Sequence, residues 1–214
     1  MSAISRTKSQ PRQPRRWRAR NGLVVATAEA MAEALETIPE GMPWAWAALR
    51  VIPVVKGVRI QVMDDVELEQ LGFRPLSSLP TVHMPPGIDV SFSVEVEVVG
   101  ISIDQEKLDQ WDMTVDQLVA PAMGNLRRIV GTWRGKVYED EYDGVPLRML
   151  RPWPYWASSL VLLPDELKRI FGPHDQLFVA PFACNLISLP IDVDRDLAAD
   201  IVDMFGTVNP RSLL

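Results

Sequence analysis

"GIDVSFSVEVEVVGISID", residues 87–104, decides the fold class. Ile88, Val90, Phe92, Val94, Val96 and Val98 alternate with Asp89, Ser91, Ser93, Glu95 and Glu97. That period of two predicts a long strand with one face on a core and the other in water. At Val98, Val99 and Gly100 the phase slips, because Ile101 and Ile103 become the apolar members, and a slip with a glycine reads as a bulge or bend. A one-sided strand of this length belongs to an antiparallel sheet.

The stretch downstream is rich in helix and turn punctuation. Asp104 can cap a short helix in "QEKLDQW", and Thr114 with Gln117 forms a capping box for "TVDQLVAPAMGNLRRIV". Val115, Leu118, Val119, Ala122, Leu126 and Ile129 make one apolar stripe along it, and Pro121 should kink it by removing a backbone donor. "WRGKVYED" and "VPLRMLR" flank "EYDG", whose Asp-Gly is a strong hairpin signal. Pro164 opens and Gly172 closes the helix "PDELKRIF". "DQLFVAPFACNLISLP" reads as two strands, Leu177 to Pro181 and Cys184 to Leu189, joined by a tight turn, and a final helix runs from about Asp194 to Phe205.

Upstream, "ATAEAMAEALETIPEG" reads as a helix capped by Thr27 and ended by Pro39 and Gly41. "PWAWAALRVIPVVKG" is ambiguous between short helix and extended chain, and "GVRIQVMDD" shows strand alternation. His83, in a Pro- and Gly-containing stretch with no acid beside it, reads as a surface loop residue. Strands and helices mix without regular βαβ alternation. The expected class is α+β, a largely antiparallel or mixed sheet with helices packed on one face.

Composition bounds the rest. A chain of 214 residues, 47% apolar and 23% charged, can bury one sizeable core, so one domain over residues 21–214 with a tail at 1–20 is expected. No apolar run approaches the roughly 18 to 20 residues of a membrane span, which argues against a membrane partner. The single Cys184 forms no intrachain disulfide, and with two distant histidines it cannot complete a structural zinc site. A reducing, cytoplasmic location fits that count.

The formal charge of -6 conceals a division. Residues 1–20 carry seven basic side chains and no acid, whereas residues 21–214 carry 15 basic against 28 acidic, a net of -13. The tail reads as a disordered basic arm, with Arg12, Arg15, Arg16 and Arg18 gripping an acidic protein surface or phosphate and Trp17 available to stack. The alternative is a solvated tail, or one folded back on its own acidic body.

The succession "VSFSVEVEVVGISIDQEKLDQWDMTVDQLVAPAMGNLRRI", "WASSLVLLPDELKRI", "DQLFVAPFACNLISL" and "DLAADIVDMF", within residues 89–209, resembles the YtpQ-like family of bacterial proteins. Its members show a strand, a helix pair ending in an Asn-hydrophobic-Arg segment, matched here by Asn125, Leu126 and Arg127, and an "AS" step into a helix. They also carry an "AVAVP" strand pair, after whose proline a polar pair often follows. This chain has Phe182, Ala183, Cys184 and Asn185 there. The resemblance implies the fold and a cytosolic compartment, and it implies no reaction.

Candidate chemistry is sparse. Cys184 with His174 and Asp175 is a conceivable thiol and base, set against a cysteine packed in an apolar strand. "DVDRDLAADIVD", residues 192–203, places aspartates in an EF-hand register, but Leu197 stands where the turn wants glycine, and the acids suit a helix start. Asp64, Asp65, Glu139, Asp140 and Glu141 are acids that nothing local selects. No phosphate loop, nucleophile elbow or paired-histidine motif occurs, so no catalytic, cofactor or metal residue is assigned. The expected function is a non-enzymatic cytosolic binding or assembly module that engages a protein partner or itself. The alternatives are a hydrolase or nuclease-like enzyme using acids or Cys184, and a nucleic-acid-associated protein acting through its arm. The turn "PWPYW" offers Trp153, Tyr155 and Trp156 braced by prolines as interface anchors, unless the tryptophan rings fold down as a lid on the sheet.

Overall fold

The computed structural model describes residues 33–55, 79–85, 87–96, 99–151, 154–180 and 185–206. The class is α+β, and the sheet expected as one forms two four-stranded sheets, each antiparallel throughout. The strands are β1 (Val51–Val55), β2 (Val82–Met84), β3 (Ile88–Val96), β4 (Val99–Ser102), β5 (Lys136–Tyr142), β6 (Val145–Arg151), β7 (Gln176–Val179) and β8 (Ile187–Pro190). The helices are α1 (Trp44–Ala47), α2 (Gln105–Gln110), α3 (Val119–Thr132), α4 (Pro164–Phe171) and α5 (Arg195–Gly206).

In the first sheet β3 is central. Val90 pairs with both Val55 of β1 and Val82 of β2, and Val94 pairs with both Val51 of β1 and Ile101 of β4. Thus β2 and β4 share the edge of β3 opposite β1. The phase slip is therefore a reversal rather than a bulge or bend, since Val96 faces Val99 across a hairpin whose connecting residues 97–98 lie outside the described ones.

The expectation of a wet second face does not hold: Ser91 and Ser93 are only 5% and 7% exposed. Small hydroxyl residues tolerate that burial because each has an acceptor, the Ser91 hydroxyl approaching Val54 O at 3.5 Å and that of Ser93 donating to Glu95 Oε1 at 2.7 Å. His83 belongs to β2 rather than a loop, and strand pairing sets its Nδ1 3.0 Å from Asp89 Oδ1 on the exposed surface.

The second sheet runs β5-β6-β8-β7. Asp143 and Gly144, with φ of 50° and 82°, form the two-residue turn between β5 and β6, the positive pair that a type I′ hairpin requires. Val179 pairs with Ile187, so residues 180–186, in part outside the described ones, are a longer connection than the tight turn expected. Leu147, Met149, Ile187 and Leu189 meet Ala198 and Ile201 of α5 on one face. On the other, Leu150 and Leu186 join the main core, and Phe178 lies edge-on to Phe171 of α4 at 5.3 Å. Helices thus flank both faces of this sheet.

The main core draws on both sheets, with Ile52, Phe92, Leu118, Leu126, Leu160 and Phe171 among its buried members. Asp104 caps α2 by accepting from Lys107 N at 2.9 Å, and Gln117 Oε1 accepts from Thr114 N at 2.7 Å as the capping box requires. The expected long helix starts with a 3₁₀ turn, Val115–Leu118, so Pro121 falls in the first turn of α3 and not in the interior where it would kink it. Of the proposed first helix residues 33–36 are helical and 27–32 lie outside the described residues, as do the strand "GVRIQVMDD" and the whole basic arm.

One polar side chain ties the core together. Asn125, buried in α3, donates Nδ2 to Ala48 O and Val51 O, each at 2.9 Å, and so pins the lead-in of β1 to the helix. Asn125→Ala leaves both carbonyls without that donor and is expected to cost about 2 to 3 kcal/mol, read from the urea midpoint at unchanged m. A loss under about 0.5 kcal/mol would show that water replaces the amide.

Candidate functional site

Where α1 gives way to β1, the chain turns through Ala48, Leu49 and Arg50 and passes over α3. Asn125 holds that segment from beneath, and Arg128, one helical turn on, donates Nη2 to Leu49 O at 3.1 Å. Leu49 is 65% exposed between two arginines. Arg50 stacks its guanidinium 4.2 Å from the Trp46 ring and donates Nη1 to Trp46 O at 3.1 Å, a cation–π contact that fixes the charge in place.

Glu95 faces this segment from β3, its backbone N–H donating to Arg50 O at 3.1 Å in continuation of the β1–β3 ladder. The carboxylate has room because Gly100 lies opposite on β4, where an added Cβ would come 3.2 Å from Oε1. Burial lifts the carboxyl from the ordinary 4.5 to about 7, and the Ser93 hydrogen bond lowers it only in part. Tyr155, a residue 41% exposed, follows from the turn after β6. Burial of the remainder raises the phenol to about 12, with ionised Glu95 adding to the rise and Arg128 opposing it. Exposed Leu49 and Arg128 thus meet, and Tyr155 lies within electrostatic reach of Arg128 and of Glu95, a carboxyl that titrates near neutrality.

The residues singled out from sequence are only partly gathered here. Tyr155 belongs to the site. Trp156 is instead a packing residue, 3% exposed with its ring edge-on to Trp133 at 5.9 Å, so it is the lid of the alternative reading and not an anchor. Trp153, Arg12, Arg15, Arg16, Trp17, Arg18 and Cys184 lie outside the described residues, as do Asp64 and Asp65. His174 and Asp175 are exposed.

Glu139 pairs with Arg148 Nε at 3.3 Å, Asp140 Oδ1 accepts from Glu141 N at 2.8 Å, and alternation along β5 sends these acids to different faces. Asp194 Oδ1 accepts from Asp196 N at 2.9 Å and Leu197 N at 3.2 Å, a helix cap and not a calcium loop. No group of metal-ligating side chains forms among the described residues.

A second polar cluster has a structural role. Arg148 Nη1 and Gln176 Nε2 donate to Phe171 O at the end of α4, Gln176 Nε2 reaches His174 O at 3.2 Å, and the Ser188 hydroxyl donates to Gln176 Oε1. The bonds to Phe171 O satisfy a carbonyl that the helix end leaves open.

Leu49, Arg50, Glu95 and Arg128 escaped sequence reasoning. The available signal was Asn125, a polar residue within the apolar stripe of α3, which marks a contact to backbone next to Arg128.

The molecule is thus an α+β protein with paired antiparallel sheets and an arginine- and tyrosine-bearing surface at one end of the first. No family model, curated protein or solved structure matches the chain. No helix among the described residues is long and apolar enough to cross a membrane.

Proposed function

We propose that the chain is a non-enzymatic binding or assembly module whose protein partner docks on Leu49, Tyr155 and Arg128. The observation that carries this reading is the exposure of Leu49, whose carbonyl Arg128 holds, and of Tyr155, within electrostatic reach of the same arginine, since aromatic and arginine side chains around an apolar centre are the composition of interface hot spots. The backbone bonds to Asn125 and Arg128 hold the segment in place beforehand, which lowers the entropy lost on docking. Within the same reading the basic arm grips an anionic region of the partner, the protein belongs to the YtpQ-like family, and the location is cytoplasmic, in keeping with its lone cysteine.

The test places a photoreactive amino acid at position 155 of the full chain, then identifies, purifies and titrates the captured protein. Leu49→Asp is expected to raise Kd at least about tenfold with an unchanged melting temperature, and Arg128→Ala to do the same with a slightly lowered one, because its bond to Leu49 O is lost. Wild-type affinity in both variants overturns the reading. If capture instead depends on nucleic acid and affinity falls steeply with salt, the arm-based alternative takes its place. Glu95 supports a second reading, acid–base catalysis, because a carboxyl near 7 is matched to proton transfer at neutral pH. Hydrolytic activity on a model ester or phosphodiester that Glu95→Gln abolishes would favour it.

A further inference from the structure

The second sheet ends on an open strand. β5 is its edge, paired with β6 over the whole of Lys136–Tyr142 and with no other strand among the described residues. The two-residue turn at Asp143 and Gly144 makes Tyr142 and Val145 a hydrogen-bonded pair, so Asp140, Tyr138 and Lys136 also spend their backbone groups on β6. Val137, Glu139 and Glu141 turn theirs outward. Asp140 Oδ1 takes the Glu141 N–H at 2.8 Å, whereas the backbone N–H and C=O of Val137 and Glu139 have no partner among the described residues. Such an edge is a template for a further extended chain. Its charge decides which chain fits. Glu139, Asp140, Glu141 and Asp143 stand within one short stretch that holds no base, and the ion pair formed there among the described residues is that of Glu139 with Arg148 Nε at 3.3 Å. The β5 of a second copy is thereby disfavoured, since it would set like charges opposite one another.

One segment of this chain has both the complementary charge and the matching period. Residues 15–20, "RRWRAR", follow the arm's last proline, Pro14, and carry four arginines and no acid. In extended form Arg16, Arg18 and Arg20 share one face, and Arg15, Trp17 and Ala19 the other. β5 divides in the same way. Val137, Glu139 and Glu141 lie on the face of Leu150 and Arg148, while Tyr138, Asp140 and Tyr142 lie on the face of Met149 and Leu147. We propose that residues 15–20 add to the β5 edge of their own chain as a fifth strand of the second sheet, with the arginines of one face against Glu139 and Glu141 and Trp17 beside exposed Tyr138. A slip of two residues keeps every arginine on the glutamate face, so the fit survives a change of register. The twelve residues 21–32 that precede Glu33 span at most about 40 Å, enough to cross a domain of this size. This seat stands apart from the docking surface at Leu49. It leaves the arm to a partner only where the partner's anionic region outcompetes β5.

Amide hydrogen exchange of the isotope-labelled full chain, followed by NMR, tests the seat residue by residue. In wild type the Val137 and Glu139 amides are expected to exchange at least about tenfold more slowly than in a full-length variant carrying Arg16→Ser, Arg18→Ser and Arg20→Ser. The Tyr138 and Asp140 amides, bonded to β6, should keep one rate in both proteins and so report that the sheet itself is intact. Equal exchange of Val137 and Glu139 in the two proteins overturns the seat: fast in both means that the edge is open to water, and slow in both means that another segment covers it. Protection that grows with protein concentration overturns the intramolecular arrangement and assigns the edge to the arm of a second copy.

Discussion

Trp156→Ala is expected to lower stability by about 3 to 5 kcal/mol, whereas Tyr155→Ala, one residue away, should stay within about 1 kcal/mol of wild type. The indole is 3% exposed, stands edge-on to Trp133, and belongs to the same core as Phe92 and Leu160. Truncation loses the transfer energy of a large ring and leaves a cavity that rigid core neighbours, Trp133 among them, cannot close. The next residues add to that rigidity, because the Ser159 hydroxyl donates to Pro53 O at 2.6 Å and binds the 3₁₀ turn Ala157–Leu162 to β1. Urea denaturation of the two variants provides the contrast. Equal midpoints would mean that Trp156 packs against the fold without supporting it.

Glu95→Gln is expected to stabilise the protein by about 3 kcal/mol at pH 8 and to have little effect near pH 4.5. The folded carboxyl titrates at about 7 because burial penalises its charge, and the unfolded one at about the ordinary 4.5. Between those values the folded state binds more protons than the unfolded, so stability declines as pH rises from about 4.5 to 7 and is level above. A difference of about 2.5 units corresponds to about 3 kcal/mol. Glutamine retains an oxygen to accept from Ser93 and carries no charge, so the decline should vanish in the variant. Parallel stability curves for the two proteins between pH 5 and 8 would show that water reaches the carboxylate freely.

The sheet and hairpin elements were legible because their signals are local. Alternation from Ile88 to Val96 marks β3, Asp143-Gly144 marks a turn with two positive φ values, and Pro164 with Gly172 brackets α4. Periodicity carries no direction, however, so the slip at Val98 and Val99 was equally consistent with a bend and with the reversal that occurs. Nor does it tell a solvated serine from one whose hydroxyl has a buried acceptor, which is why Ser91 and Ser93 read as surface residues. The site was hidden for another reason. Leu49, Glu95, Arg128 and Tyr155 come from four separate segments, and only the tertiary fold holds Arg128 against Leu49 O and brings Tyr155 within electrostatic reach of a carboxyl that alternation alone assigns to water.

The position of β1 in the chain has a consequence for synthesis. Its carbonyls wait for Asn125, 74 residues downstream of Val51, and for Ser159, 106 residues downstream of Pro53. At ordinary translation rates of about 5 to 20 residues per second, "VIPVV" leaves the ribosome roughly 5 to 20 s before the last of these partners exists. An apolar strand whose outer edge stays open for that long is a template for misassembly with other nascent chains. Pro53 stands at its middle, where the absent N–H breaks the row of donors that such a template needs. The proline costs the finished sheet no ladder bond, because Pro53 and Phe92 form a non-hydrogen-bonded pair that turns its nitrogen away from β3, and it protects the unfinished chain for as long as that edge is exposed.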